Sequence, residues 1–280
     1  MNRSIQQKVQ GFRTTDGAGV HLVRVLGHGT VEAYDPFLML DSFDSLNPND
    51  YLAGFPLHPH RGIETITYLA SGSIAHKDSL GNKGVIEAGD VQWMTAGSGI
   101  MHEEMPQRSN RMLGVQLWLN LPQKDKMCPP AYHSLVKEDL PVVELDGGRL
   151  TVIGGAYQDT VGFQGEYHAI DFYSIELDAE QSLTLDTPET DQVICFTLEG
   201  DALIGDERIE AKTAVTTSHG NAITIAATDK PAHVLYLRST KLGEPIAWGG
   251  PIVMNTREEL NQAFSDLRNG TFIKDKPLGI

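Results

Sequence analysis

Within FPLHPHRGIETITYL, residues 55 to 69, two histidines flank a proline and a glutamate follows four residues after the second. Imidazole nitrogens and carboxylate oxygens are donors for zinc, iron and related ions, which need several ligands converging at about 2.0–2.2 Å. His58 and His60, at i and i+2, put both rings on one face of an extended segment. Pro59 between them has no N–H for a ladder and fits a strand edge or start. Glu64 shares their parity and points the same way if no bulge intervenes. A second pair follows in TAGSGIMHEEMP, where His102 and Glu104 are again at i and i+2 behind a glycine-rich turn. Glu103 has the opposite parity and points away. Polar residues at a strand edge share the spacing of a lone HxH, so that motif is weak; the second pair strengthens it. On neighbouring strands the two pairs give three imidazoles and a carboxylate, with open positions on an octahedral ion for substrate or dioxygen. The nearest precedent is the two-histidine, one-carboxylate face of non-haem iron.

Such a site needs strands to deliver it, and the chain reads as many short ones. VHLVRVL, ETITYL, GSIAHKDS, DVQWMTA, LGVQLWLN, HAIDFYSIEL, SLTLDT, QVICFTLEG, NAITIAAT and AHVLYLRS alternate or run β-rich, with glycine- and asparagine-containing turns between them. Strands at this spacing with almost no helix predict an antiparallel sandwich or barrel. One helix is expected near the end: Thr256 and Glu259 form a capping box, Leu260, Phe264 and Leu267 make an apolar stripe, and Gly270 stops it. Residues 121 to 141, rich in proline and poor in alternation, are the expected boundary between two β-domains, 1–125 and 126–280.

Composition narrows the function. The 280 residues carry 22 Lys plus Arg against 37 Asp plus Glu, a formal charge of −15, with no basic run. That balance repels phosphate backbones and argues against direct nucleic-acid binding. No run approaches the roughly 18 apolar residues of a membrane span. The polar start lacks a secretory signal's apolar segment, and Cys128 and Cys195 have no paired spacing, so a reducing cytoplasm is the expected location.

Residues 54 to 72, with HPH, Glu64 and Gly72, resemble the first cupin motif, and residues 89 to 102 the second. FPLHPHRGIETITYLASGSIAHKDSLGN, GDVQWMTAGSGIMHEEMP, GEPIAWGGPIVMNTREELNQAFSDLRNGTF and DPFLMLDSFD resemble the pirin family over nearly the whole chain. The resemblance implies an all-β bicupin, two tandem double-stranded β-helix (jelly-roll) domains with a short C-terminal helix. It implies one divalent metal per chain, Fe(II) first and Ni, Mn, Co, Cu or Zn as alternatives, on His58, His60, His102 and Glu104. Cupins in general would use Glu64 in place of Glu104. Glu104 and Glu64 are the candidate bases, and Glu64 and His76 the candidates to hydrogen-bond the site from behind. A lone strand histidine such as His76 is more simply read as facing solvent.

The implied activity is flavonol cleavage with dioxygen, that of a quercetin 2,3-dioxygenase. The alternatives are a metal-dependent regulator that binds a protein partner, as a transcriptional co-regulator does, and a storage-type cupin without turnover. The second domain has Leu185-Asp186-Thr187-Pro188 where another HxH would fall, and its His168, His219 and His233 are isolated, so it is expected to be metal-free. Trp93, Met94 and Trp118 read as core fillers.

Overall fold

FLMLDSFDS, IETITYLAS and MLGVQLWLN are apolar or β-branched at nearly every second position, and in the structure they are central strands with both faces mostly buried. The computed structural model describes residues 1–274. Two units interleave along the chain. One, the histidine unit, comprises Arg13–Arg24, Phe37–Lys137 and the segment from Gly243; the other, the aliphatic unit, comprises Met1–Phe12, Val25–Pro36 and Glu138–Leu242.

In the histidine unit a seven-stranded sheet runs in the order Ala131–Leu135, Val91–Thr95, Ile63–Ser71, Met112–Asn120, Phe37–Ser45, Val20–Leu26, Phe12–Asp16. A four-stranded sheet runs Phe55–His60, Ile100–Pro106, Ile74–Asp78, Lys83–Ile86. A cluster drawn from both sheets, including Phe43, Leu69, Met112, Ile74 and Ile86, fills part of the space between them. The aliphatic unit repeats the plan. Its seven strands are Ile5–Gln10, Thr213–Thr217, Gln192–Glu199, Ala232–Ser239, Ile170–Leu177, Gly148–Gly154 and Val142–Leu145. Its four are Ser182–Asp186, Ala222–Ala227, Ala202–Ile204 and Glu207–Ile209. The pairings of the central strands in both units are antiparallel, as in a jelly roll.

The repeat differs in where one edge strand comes from. Ala131–Leu135 pairs with Val91–Thr95, and the matching edge of the aliphatic unit is taken by the chain's first strand, Ile5–Gln10, paired with Thr213–Thr217. The division is therefore not a single cut at 125/126. The expected linker, residues 121 to 141, itself holds a 3-10 turn, Gln123–Asp125, and the strand Ala131–Leu135. Proline density masked that strand, which sits at an edge where prolines on either side cost no ladder bonds.

The expected helix is Arg257–Arg268. The Thr256 hydroxyl accepts from the Glu259 amide at 3.1 Å, and the Glu259 carboxylate accepts from the Thr256 amide at 2.9 Å. Leu260, Ala263, Phe264 and Leu267 pack with Ile252, Met254, Phe272 and Met101, so the helix belongs to the histidine unit and not, as expected, to a C-terminal domain. Among the described residues no helix is long and apolar enough to cross a membrane.

Candidate metal centre

His58 and His60 lie on Phe55–His60, directly beside Ile100–Pro106, where His102 pairs with His58 and Ile100 with His60. Along Ile100–Pro106 burial alternates strictly, and Ile100, His102, Glu104 and Pro106 are the buried set. The donor nitrogens of His58, His60 and His102 all lie within 4.8 Å of one another, a cluster assembled from two neighbouring strands. Two glycines set the corners. Gly62, at φ 79°, turns the chain out of the histidine strand, and a Cβ there would meet the Val253 carbonyl at 2.0 Å. Gly97, at φ 46°, makes the turn before His102, and a Cβ would lie 2.2 Å from the Cys128 carbonyl.

The hydrogen bonds fix which nitrogens face the centre. His58 Nδ1 lies 2.9 Å from the Pro56 carbonyl and His60 Nδ1 3.1 Å from the Pro251 carbonyl. A carbonyl only accepts, so both Nδ1 atoms carry the proton and both Nε2 atoms present lone pairs. Those Nε2 atoms stand 3.1 Å apart. Two neutral lone pairs do not hydrogen-bond each other, but two nitrogens bound at right angles to one ion at about 2.1 Å stand about 3.0 Å apart. Burial, and then the neighbouring His58, pulls the His60 pKa down to about 3. Burial first, then the surrounding histidines, holds His102 well below its usual value. The His60 and His102 rings are therefore neutral at pH 7, as metal binding requires. His102 is fully buried, and neither of its ring nitrogens has a hydrogen-bond partner among the described residues. Such an orphaned imidazole is expensive unless something else satisfies it, and a cation does.

Glu104 is buried on the same face, and its Oε1 accepts from Gln92 Nε2 at 2.9 Å and from Thr67 Oγ1 at 3.1 Å, leaving Oε2 as the oxygen to offer an ion. Glu104 is not in the tight three-histidine cluster. Glu64 goes elsewhere. Thr65 pairs with Trp118, whose ring packs edge-on against His60 at 5.0 Å, and the Thr67 hydroxyl reaches Glu104, so that face of Ile63–Ser71 looks toward the histidines. Glu64 is on the opposite face, held by the Thr95 hydroxyl at 2.6 Å. The expected shared parity with His60 fails because Arg61 and Gly62 break the strand between them. The structure therefore does not bring Glu64 to the histidines, either as base or as support.

His76 does not face solvent, the simpler expectation: it is 3% exposed, pairs across the strands with Glu104, and its ring centre lies 5.5 Å from that of His102. Several other neighbours were not foreseen: Thr67, Gln92, Gln116, Asp78, Tyr132, and Pro251 from far along the chain. A usable signal existed for two of them. Val-Gln-Trp and Val-Gln-Leu each place a glutamine inside an otherwise apolar strand, at Gln92 and Gln116. Arg61 and Lys126 brace the corner behind His60. Arg61 donates to the Ser98 carbonyl, to Asp266 of the helix and to the Phe272 carbonyl, while Lys126 Nζ donates to Gly62 O, Asn120 Oδ1 and Val253 O.

Comparison with known proteins decides the lineage. Residues 19–119 match the Pirin family model and residues 172–273 the model of the Pirin C-terminal cupin domain. The chain belongs to the pirin family. It is 41% identical to a Pirin-like protein of Caulobacter vibrioides over 275 residues, 96% of this chain and 99% of that protein. It is 34% identical to Pirin of Homo sapiens, covering 96% of this chain and 93% of that one. Among solved structures it resembles quercetin 2,3-dioxygenase from Acinetobacter baumannii, with a TM-score of 0.89, 33% identity, and coverage of 97% of this chain and 99% of that one. The bicupin architecture of the pirins is thus the architecture of this chain.

Proposed function

We propose that this pirin is a dioxygenase that cleaves flavonols of the quercetin type, using one divalent ion, Fe(II) by the donor set, on His58, His60, His102 and Glu104. The observation that carries the reading is the pair of Nε2 lone pairs 3.1 Å apart beside a fully buried His102 whose ring nitrogens have no hydrogen-bond partner among the described residues. Similarity to the Acinetobacter baumannii quercetin 2,3-dioxygenase supports the substrate class. Nickel, manganese, cobalt, copper and zinc suit the same nitrogens and oxygen.

When bound, the ion supplies Lewis acidity toward the flavonol 3-oxygen and a meeting place for dioxygen. The protein does the rest. Carbonyls of Pro56 and Pro251 hold two imidazoles in the tautomer that leaves Nε2 free. Thr67 and Gln92 anchor Glu104 by one oxygen, so the other can take the 3-hydroxyl proton if it is not held tightly as a ligand. Trp118, packed against His60 and followed by Trp248 with ring centres 5.9 Å apart, gives an apolar wall for an aromatic ligand.

The test is dioxygen consumption with quercetin by metal-loaded protein, compared with His102→Ala. Uptake that depends on quercetin and vanishes in the variant is expected. No uptake with any first-row ion, despite stoichiometric metal, would refute catalysis and leave a binding or regulatory role.

A further inference from the structure

Beside the three ligand histidines sits a fourth that no ligand role uses. His76 Nε2 lies 3.1 Å from Asp78 Oδ2, and both side chains are fully buried. Asp78 also accepts from the Leu80 and Asn82 amides and from Asn82 Nδ2 at 2.9–3.0 Å, four donors on one carboxylate. A carboxylate so surrounded accepts, so the His76 Nε2 facing it carries a proton. Nδ1 is the nitrogen left over, and it has no hydrogen-bond partner among the described residues. The ring is also clamped: Tyr132 stacks on it with centres 4.5 Å apart and planes 18° from parallel. The cross-strand neighbour of His76 is Glu104, and the ring of His102, two residues before it on the same strand, has its centre 5.5 Å from that of His76. A rigid ring nitrogen, buried and unsatisfied, costs stability unless a partner arrives. The same surroundings hold a second buried atom without a partner among the described residues: Gln92 Oε1, whose amide Nε2 donates to Glu104.

We infer that His76 Nδ1 is the recognition point for a hydroxyl of the aromatic ligand bound at the metal centre. Asp78 fixes its tautomer and Tyr132 its ring plane. The inference rests on the flavonol reading only for the class of ligand: what His76 demands is an O–H donor held close to the three histidines. It makes His76 a specificity determinant. Ligands that chelate an ion but have no second hydroxyl to donate bind without this contact.

The experiment uses metal-loaded full-length protein without dioxygen, titrated spectroscopically with 4-nitrocatechol and, separately, with quercetin. His76→Phe keeps the stacking on Tyr132 and removes the acceptor; His76→Asn puts an amide oxygen near the Nδ1 position. Loss of one such hydrogen bond is expected to weaken binding by about tenfold in His76→Phe, with His76→Asn within about threefold of wild type. Metal content, measured by elemental analysis, should stay at the wild-type level in both. Equal affinity of wild type and His76→Phe for both ligands overturns the inference. If the substitutions cost metal or folding, wild-type protein labelled with 15N-histidine and loaded with zinc carries the test. Its His76 Nδ1 resonance should be that of an unprotonated nitrogen and should move when ligand binds; a protonated or unmoved Nδ1 is the contrary result. Failure of quercetin turnover alongside retained 4-nitrocatechol discrimination would remove the flavonol reading and leave the His76 assignment standing.

Discussion

The two barrels of this chain share a strand order and differ in what fills them. In the aliphatic unit Leu183 and Leu185 of one strand and Ile223 and Ile225 of its partner turn inward to join Val193, Val215, Val234 and Tyr236 in one continuous core. In the histidine unit the corresponding pair of strands turns His58, His60, His102 and Glu104 inward, and the apolar cluster fills only part of the interior. Thr65, Thr67, Gln92 and Gln116 continue the polar region on the opposite sheet. The fold tolerates either filling because its hydrogen-bonded ladders do not depend on what points inside. One copy was thus free to give up packing for donors. The cost is visible as buried polar atoms at His76, Gln92 and His102 that have no partners among the described residues, the kind of broken local rule that functional sites carry.

On this contrast, the same kind of change has opposite consequences in the two units. The largest expected effect is Ile225→Asn, which strands an amide in hydrocarbon and should lower unfolding free energy by about 4 kcal/mol in urea titrations. The converse change, His102→Leu, should abolish metal binding yet leave metal-free protein within about 1 kcal/mol of wild type, because it removes a buried imidazole that makes no hydrogen bond. A loss as large as that of Ile225→Asn would erase the distinction between the barrels.

A pH profile sharpens the comparison from the aliphatic side. His233, bonded to the Ser174 hydroxyl at 2.7 Å, is pulled by burial from 6.5 to about 4. Its folded pKa lies below the unfolded one, so its contribution is intact above about pH 6.5 and is lost as pH falls toward 4. The loss amounts to about 3 kcal/mol. The urea midpoint of wild type should therefore fall more steeply over that window than that of His233→Gln; parallel curves would show that His233 does not titrate this way. Smaller still is the glutamate comparison. Glu104→Gln should weaken metal affinity by at least the roughly 10–100-fold typical of losing a group behind a ligand, while Glu64→Gln, on the far face of its strand, should leave it nearly unchanged. The reverse order would return the ligand role to Glu64.

Much of this was open to reading from the chain. Period-two alternation gave the strands, and the paired i, i+2 donors gave the three histidines that do converge. What escaped was non-local. Glu64 was misplaced because a two-residue break at Arg61-Gly62 resets parity, and spacing alone does not show a break. The strand Ile5–Gln10 finds its partner more than 200 residues away, and Pro251, which sets the His60 tautomer, comes from the other end of the chain. His76 looked like any strand histidine until its partners Asp78 and Tyr132 were in place.

The central claim is that one barrel holds a metal on the paired histidines and the other holds none. Its most direct measurement is metal per chain, by elemental analysis of protein purified without added metal, for wild type and the His58→Ala/His60→Ala double variant side by side. The account predicts about one equivalent in wild type and less than about a tenth in the double variant. Near-stoichiometric metal retained in the double variant would contradict it.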